Sequence, residues 1–299
     1  MPIPVVLNRR AGTADALRDA IVADARFALA EVEPADVGRA VADAVREGAR
    51  RVVVAGGDGT VATAAAALLA DGDAELAVLP GGTLNHFATH LGVPTDASAA
   101  LDVAASGEVR RVDVAFVGDQ LFLNTSSVGA YVTFVRLRDR LERHLPYAVA
   151  SLLAGLLLFF RLPTFHVEVE VEGIARRYDT PLVFVGVGER ELTTPSFAEL
   201  VANGRPGLHV IVVRGRRRAR MLALGLAAAR GGPRAVARLP ETDSFVVERC
   251  RVSVPRRTTR VAADGEVRRM DAPLDYHVER ARLCVVAPPR PAASGRDGG

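Results

Sequence analysis

Two glycine-rich runs hold the residues best suited to chemistry. The first is Val52-Val53-Val54-Ala55-Gly56-Gly57-Asp58-Gly59-Thr60, an apolar stretch ending in three glycines around one aspartate. Val52 to Ala55 has the length and β-branching of a buried strand, and Thr60 to Leu69 reads as a helix capped by Thr60. Glycines placed between a strand and a helix let the backbone approach an anion, and the N–H groups of the helix start point at it. The run therefore reads as a phosphate-binding turn. Asp58 would repel a phosphate unless a cation or a hydroxyl lay between them, which suggests Mg²⁺ and phosphoryl transfer. The plain alternative is an ordinary turn whose aspartate caps something local. The second run, Pro80-Gly81-Gly82-Thr83-Leu84-Asn85-His86-Phe87-Ala88, follows the strand-like Glu75 to Leu79. Loops after successive parallel strands open on the same carboxyl edge, so both runs are expected at one crevice.

Further downstream lies Ala263-Asp264-Gly265-Glu266, and near the start lies Pro4-Val5-Val6-Leu7-Asn8-Arg9-Arg10-Ala11-Gly12. With these, GGDGT followed by PGGTLNHFA resembles the diacylglycerol kinase catalytic-domain family, which includes sphingosine kinases and bacterial lipid kinases. The likeness covers nearly the whole chain, and three motifs in the family's order are far more specific than any one. It implies an NAD kinase-like α/β domain, a C-terminal antiparallel β-sandwich, and transfer of the γ-phosphate of ATP, with Mg²⁺, to a hydroxyl of diacylglycerol or a related lipid. It implies ATP contacts from Asn8, Gly12, Gly56, Gly57, Gly59, Thr60, Gly82, Thr83 and Asn85, and a role for Asp58 in holding Mg²⁺ or its water. Glu266 would be the base that takes the hydroxyl proton, supported by Asp264, although an Asp-Gly pair between strands is also an ordinary hairpin turn. Asn124 and Ser127, in Asn124-Thr125-Ser126-Ser127-Val128-Gly129, correspond to the acceptor-side loop or could cap the following helix.

Three departures from the family pattern bear on substrate and metal. His86 stands where many members have aspartate, and Ala130-Tyr131 replaces the usual Asp-Ala. Asn203 to Leu208 lacks the acidic residues of a structural Mg²⁺ site.

The elements that must position these groups can be read from periodicity. Pro4 to Leu7 is strand, Thr13 to Ala25 helix, Phe27 to Val32 strand, and Pro34 to Gly48 helix with proline in its first turn. Two more βα units carry the glycine runs, and Thr95 to Ser106 is another helix, an order that implies a doubly wound parallel sheet. Phe165 to Glu172 alternates apolar and charged residues with period two, as antiparallel strands with one wet face do. The expected division is a nucleotide-binding α/β domain over 1–111, a strand-rich lipid-substrate domain over 112–289 whose last segment can return to the first, and a disordered tail over 290–299.

Composition excludes several classes. The 299 residues are 49% hydrophobic and 24% charged, as in a folded globular chain. All 38 Lys and Arg residues are arginine, so a P-loop lysine is excluded, and Arg9 and Arg10 become the side chains for phosphate. Cys250 and Cys284 lack partners at metal spacing and read as small buried residues in a reducing cytosol. No signal-peptide pattern is present at the start.

Leu145 to Phe160 carries no charge over 16 residues, short of the about 20 a bilayer span needs. It is either a buried helix or an interfacial one lining an acyl groove. Arg214, Arg216, Arg217, Arg218 and Arg220 form a basic run that suits anionic lipid headgroups; nucleic acid is not expected, since there is no tryptophan and no recognition motif. The chain is therefore expected to be cytoplasmic and peripherally membrane-associated, with a homodimer allowed. A soluble-substrate kinase of the same superfamily, or a non-catalytic lipid- or nucleotide-binding protein of the same fold, are the alternatives.

Overall fold

Runs such as Val5-Val6-Leu7, Val52-Val53-Val54-Ala55 and Leu76-Ala77-Val78-Leu79 are buried without alternation, as parallel strands covered on both faces must be. A computed structural model describes residues 1–146, 149–150, 153–154, 157, 164–191, 199–201, 204–214 and 242–289. In chain order its elements begin β1 (Ile3–Asn8), α1 (Ala14–Val22), β2 (Phe27–Val32), α2 (Val37–Arg46), β3 (Arg51–Gly56), α3 (Asp58–Asp71), β4 (Glu75–Pro80), α4 (His86–Leu91), α5 (Ala97–Ser106) and β5 (Glu108–Val117). They continue through β6 (Gln120–Phe122), β7 (Thr125–Gly129), α6 (Ala130–Glu142), β8 (Phe165–Val171), β9 (Ile174–Thr180), β10 (Leu182–Val187), β11 (Arg190–Glu191) and β12 (Glu199–Leu200). The last are β13 (Leu208–Val213), β14 (Thr242–Val247), β15 (Arg249–Ser253), β16 (Thr258–Ala263), β17 (Glu266–Asp271) and β18 (Leu274–Ala287). The chain forms two units, Met1–Val112 with the segment from Ala281, and Asp113–Arg280.

In the first unit the strand order is β2-β1-β3-β4-β18, each neighbour parallel. The path from β1 to β2 and back across to β3 makes a topological switch between β1 and β3, and right-handed crossovers place α1 on one face and α2 and α3 on the other. Accordingly α2 packs on α3, and α1 on α5. Two helix starts differ from the sequence reading. Pro34 opens a 3₁₀ turn, Pro34–Asp36, before α2 begins at Val37. The helix after the first glycine run starts at Asp58 with Gly57 as its N-cap, so Thr60 lies inside the first turn instead of capping it. Its hydroxyl is instead taken by Asn8, as described below.

The second unit has a six-stranded antiparallel sheet, β14-β13-β10-β7-β16-β17. Its other sheet pairs β18 with β15, β15 with β8 and β8 with β9, all antiparallel, and β5 with β6. Val183, Val185, Val210 and Val261 of the first sheet share one core with Val167, Val169, Val252, Phe122 and Tyr276 of the second. The period-two run behaves as its pattern requires, with Val167 and Val169 at 3% and 2% exposure and Glu168 between them partly exposed. Cys250 is buried in this core, and the burial pushes its thiol up to about 12.

Leu145 to Phe160 lies partly outside the described residues. Within it, Ala150 and Ala154 are buried, while Val149, Leu153 and Leu157 are 43%, 36% and 43% exposed. Among the described residues no helix is long and apolar enough to cross a membrane. Arg216, Arg217, Arg218, Arg220, Asn203 and the segment 290–299 lie outside the described residues.

Candidate functional site

At the carboxyl edge of the first unit's sheet, three loops meet through their backbones. Gly81 N–H donates to Gly56 O at 3.0 Å, and Thr13 N–H to Gly81 O at 3.4 Å. A Cβ on Gly82 would stand 2.5 Å from the Cα of Gly57, closer than any side chain can approach. Gly56 is needed for a related reason, since a Cβ there would lie 2.7 Å from Thr60 Cβ. The two glycine runs therefore pack main chain on main chain, which leaves the first amides of α3 without intrahelical partners at the edge of the sheet.

Side chains then lock the loops. Asn8, 8% exposed, donates from Nδ2 to Thr60 Oγ1 at 2.9 Å and accepts from Arg10 N–H at 3.0 Å. Asn85 sits in the left-handed region at φ 51°, a conformation asparagine tolerates better than most residues, and its amide closes on Gly82 N–H and Gly82 O, both at 2.7 Å. Asp58 accepts from His86 N–H at 3.1 Å and Phe87 N–H at 2.9 Å, tying the start of α3 to the start of α4. His86 thus contributes its backbone to Asp58, while its ring stacks 6.4 Å from that of His90. Arg9 reaches Glu31 of β2 at 3.5 Å, and Arg10 reaches Glu33, just past its end, at 3.0 Å. Gly12 and Thr83 are exposed beside the three loops.

The remaining predicted residues belong to the second unit. Asp264 and Gly265, at φ 46° and 86°, form the two-residue turn between β16 and β17. The Asp264 carboxylate reaches back about 140 residues to accept N–H bonds from Leu123, Asn124 and Thr125 at 2.6, 2.9 and 3.0 Å. The Asp264 carboxylate thus organises the turn at Asn124. Glu266 begins β17 with its side chain exposed. Ser127 is 2% exposed within β7, opposite Phe184 and Ala262, and its hydroxyl has no hydrogen-bond partner among the described residues.

A polar network behind that turn had no signal in the sequence. Arg190, 4% exposed, lies across Gly186 and donates from Nε to Val187 O at 3.0 Å. Burial pulls its guanidinium down to about 10, a shift that the nearby Asp264 charge opposes, so it stays cationic at neutral pH. Arg190 N–H donates to His209 Nδ1 at 2.8 Å, so Nε2 carries the ring proton and donates to Ser244 Oγ at 2.7 Å. Burial lowers the His209 pKa from 6.5. With the folded value lowered, the unfolded state takes up its proton first as pH falls and holds more protons, so stability falls on acidification. Urea melts between neutral pH and about pH 5 should show a larger loss for the wild type than for His209→Asn. Equal losses would remove His209 from this account.

Residues 2–117 match the model of the diacylglycerol kinase catalytic domain. A Cronobacter sakazakii protein named "Probable lipid kinase YegS-like" is 32% identical over 163 residues, 53% of this chain and 54% of that one. A Pseudomonas syringae pv. syringae protein of the same name is 41% identical over 162 residues, 52% of this chain and 50% of that one. The chain thus spans about half the length of the curated relatives it matches. A solved structure of a diacylglycerol kinase from Bacillus anthracis str. Sterne superposes with a TM-score of 0.69 at 18% identity, covering 96% of this chain and 97% of that one. At that identity the likeness establishes the fold.

Proposed function

We propose that the chain is an ATP-dependent lipid kinase that moves the γ-phosphate of ATP to a hydroxyl of diacylglycerol or a related lipid. The observation that carries this reading is the backbone contact of the two glycine runs at the start of α3, within the span that matches the family. A site for an extended anion accounts for two loops that give up side chains to bring amides to one edge. Gly56, Gly57, Gly59 and Thr60 would hold the phosphates, with Asn8, Gly12, Gly82, Thr83 and Asn85 from the adjoining loops. Arg9 and Arg10 would keep their glutamate partners or exchange them for phosphate.

Among the described residues no three His, Cys, Asp or Glu side chains gather to hold a metal. Mg²⁺ carried in with ATP is commonly bound through one carboxylate, phosphates and water. Asp58 would be that carboxylate, standing at the first turn of α3 between the glycines that would hold the phosphates. The ion would spread the charge of the transferring phosphoryl group. The acceptor hydroxyl oxygen bonds to the γ-phosphorus as the bond to the bridging oxygen of ADP breaks, and Glu266 receives the hydroxyl proton.

The test is transfer of ³²P from γ-labelled ATP to a lipid extract in detergent micelles. Wild type should yield a labelled organic-phase product, and Glu266→Gln should lose about 10²–10⁴-fold in rate. Because Glu266 is exposed, its Tm should not change. A label that stays wholly in aqueous products would point to a soluble acceptor, and no transfer from a folded, ATP-binding protein would end the kinase reading.

A further inference from the structure

About half of the arginines among the described residues pair with a carboxylate. Arg18, Arg26, Arg51, Arg138, Arg251 and Arg280 each pair with a carboxylate. A cavity of about 670 Å³ in the second unit gathers four of those that do not. It is lined by Arg136 of α6, Arg256, Arg260 of β16 and Arg269 of β17, with Val132, Phe165 and Val254 as apolar wall. Among the described residues none of the four arginines pairs with a carboxylate; Arg269 donates only to Thr258 Oγ1, at 2.9 and 2.7 Å. The acids nearest along α6 and β17 are Asp139, held by Arg138, and Asp271, cross-strand from Thr258.

The strand register adds an independent observation. Arg260 and Arg269 are direct cross-strand partners, and like charges so placed destabilise a sheet unless a counter-charge sits between them. The site is separate from the Asp264 turn, which lies four residues along β16 from Arg260, roughly 14 Å at strand spacing. Upstream in the same unit, Val149, Leu153 and Leu157 present large apolar side chains to solvent at four-residue spacing, with Ala150 and Ala154 turned inward. That is the reverse of a core-packing helix face, and it suits the boundary of headgroups and acyl chains.

We propose that this cavity binds the phosphodiester headgroup of an anionic phospholipid and docks the second unit on a membrane surface. Guanidinium groups match phosphate oxygens in pairs, and the apolar wall accepts the glycerol end of the lipid. The choice of a lipid over a free phosphate rests on the lipid-kinase reading above.

The full chain should sediment with phosphatidylcholine vesicles that contain phosphatidylglycerol and not with phosphatidylcholine alone. Arg260→Gln with Arg269→Gln should weaken that binding roughly thirtyfold, at about fivefold per arginine near an anionic surface. Arg39→Gln with Arg46→Gln, which removes the same net charge from ion-paired positions, should leave it unchanged. If the β-strand double variant does not fold, Arg136→Gln carries the test with about a fivefold loss. Wild-type vesicle binding by these variants, equal binding to neutral vesicles, or arginine-dependent binding of glycerol phosphate without vesicle binding would each overturn the proposal. Phosphoryl transfer in detergent micelles should survive in the double variant, so the two readings fail separately: vesicle binding without kinase activity ends only the kinase reading.

Discussion

Gly82→Ala is expected to abolish ATP binding and to lower stability by about 2–3 kcal/mol, the usual cost of forcing a group into a filled space. The added methyl would lie 2.5 Å from Gly57 Cα, and neither partner is a side chain that can swing aside. To relieve the overlap, the loop after β4 must move off the loop after β3, and the hydrogen bond from Gly81 to Gly56 runs through that same contact. Moving it also pulls on Asn85, whose amide closes on Gly82 from both sides. Gly38→Ala, on α2, where the new Cβ would meet Thr63 Cγ2 at an ordinary 3.5 Å, should instead be neutral or stabilising. Equilibrium urea denaturation and fluorescent ATP-analogue titration of both variants check this. A Gly82→Ala protein with wild-type stability and affinity would mean that the two runs are not in main-chain contact in solution.

Asp264→Ala should be the more damaging change for the second unit, at about 4 kcal/mol, on the basis of about 1–3 kcal/mol for each buried amide left without an acceptor. Leu123 and Asn124 are each 3% exposed, so water cannot replace the carboxylate at their N–H groups. The substitution also leaves an alanine at φ 46°, in the left-handed region, and strips a compensating charge from buried Arg190. Against a typical total of about 5–15 kcal/mol this is a large share. Asp264→Asn keeps an acceptor and tolerates the same backbone conformation, so it should recover part of the loss. Thermal unfolding of the three proteins gives the ranking. If alanine and asparagine variants melt together near the wild type, the Asn124 turn is held by something other than this carboxylate.

The contrast between Asp264 and Glu266 shows where sequence reading stops. Both stand in a four-residue motif, and the Asp-Gly pair by itself announces a two-residue hairpin turn, which is what it forms. Nothing local says that the aspartate's acceptors are spent on amides about 140 residues upstream while the glutamate remains exposed. The first helix boundary makes a smaller version of the point. Thr60 has the chemistry of an N-cap, but Gly57 takes that place because the loop bends there to meet Gly82, and Asn8 from another strand claims the threonine hydroxyl.

By itself the sequence determined the α/β character of the first unit, the glycine runs at the ends of β3 and β4, and the one-faced strands around residues 165–171. Each of these is written in contiguous residues, as β-branched runs, glycine clusters or a period of two. Only the tertiary structure decided that β18 returns to lie beside β4, that Arg190 is buried near Asp264, and that arginines from α6, β16 and β17 gather at one cavity. Those outcomes depend on pairings between distant segments. Such pairings are selected by how apolar faces bury and how buried amides and charges find partners, and a local pattern carries no record of either.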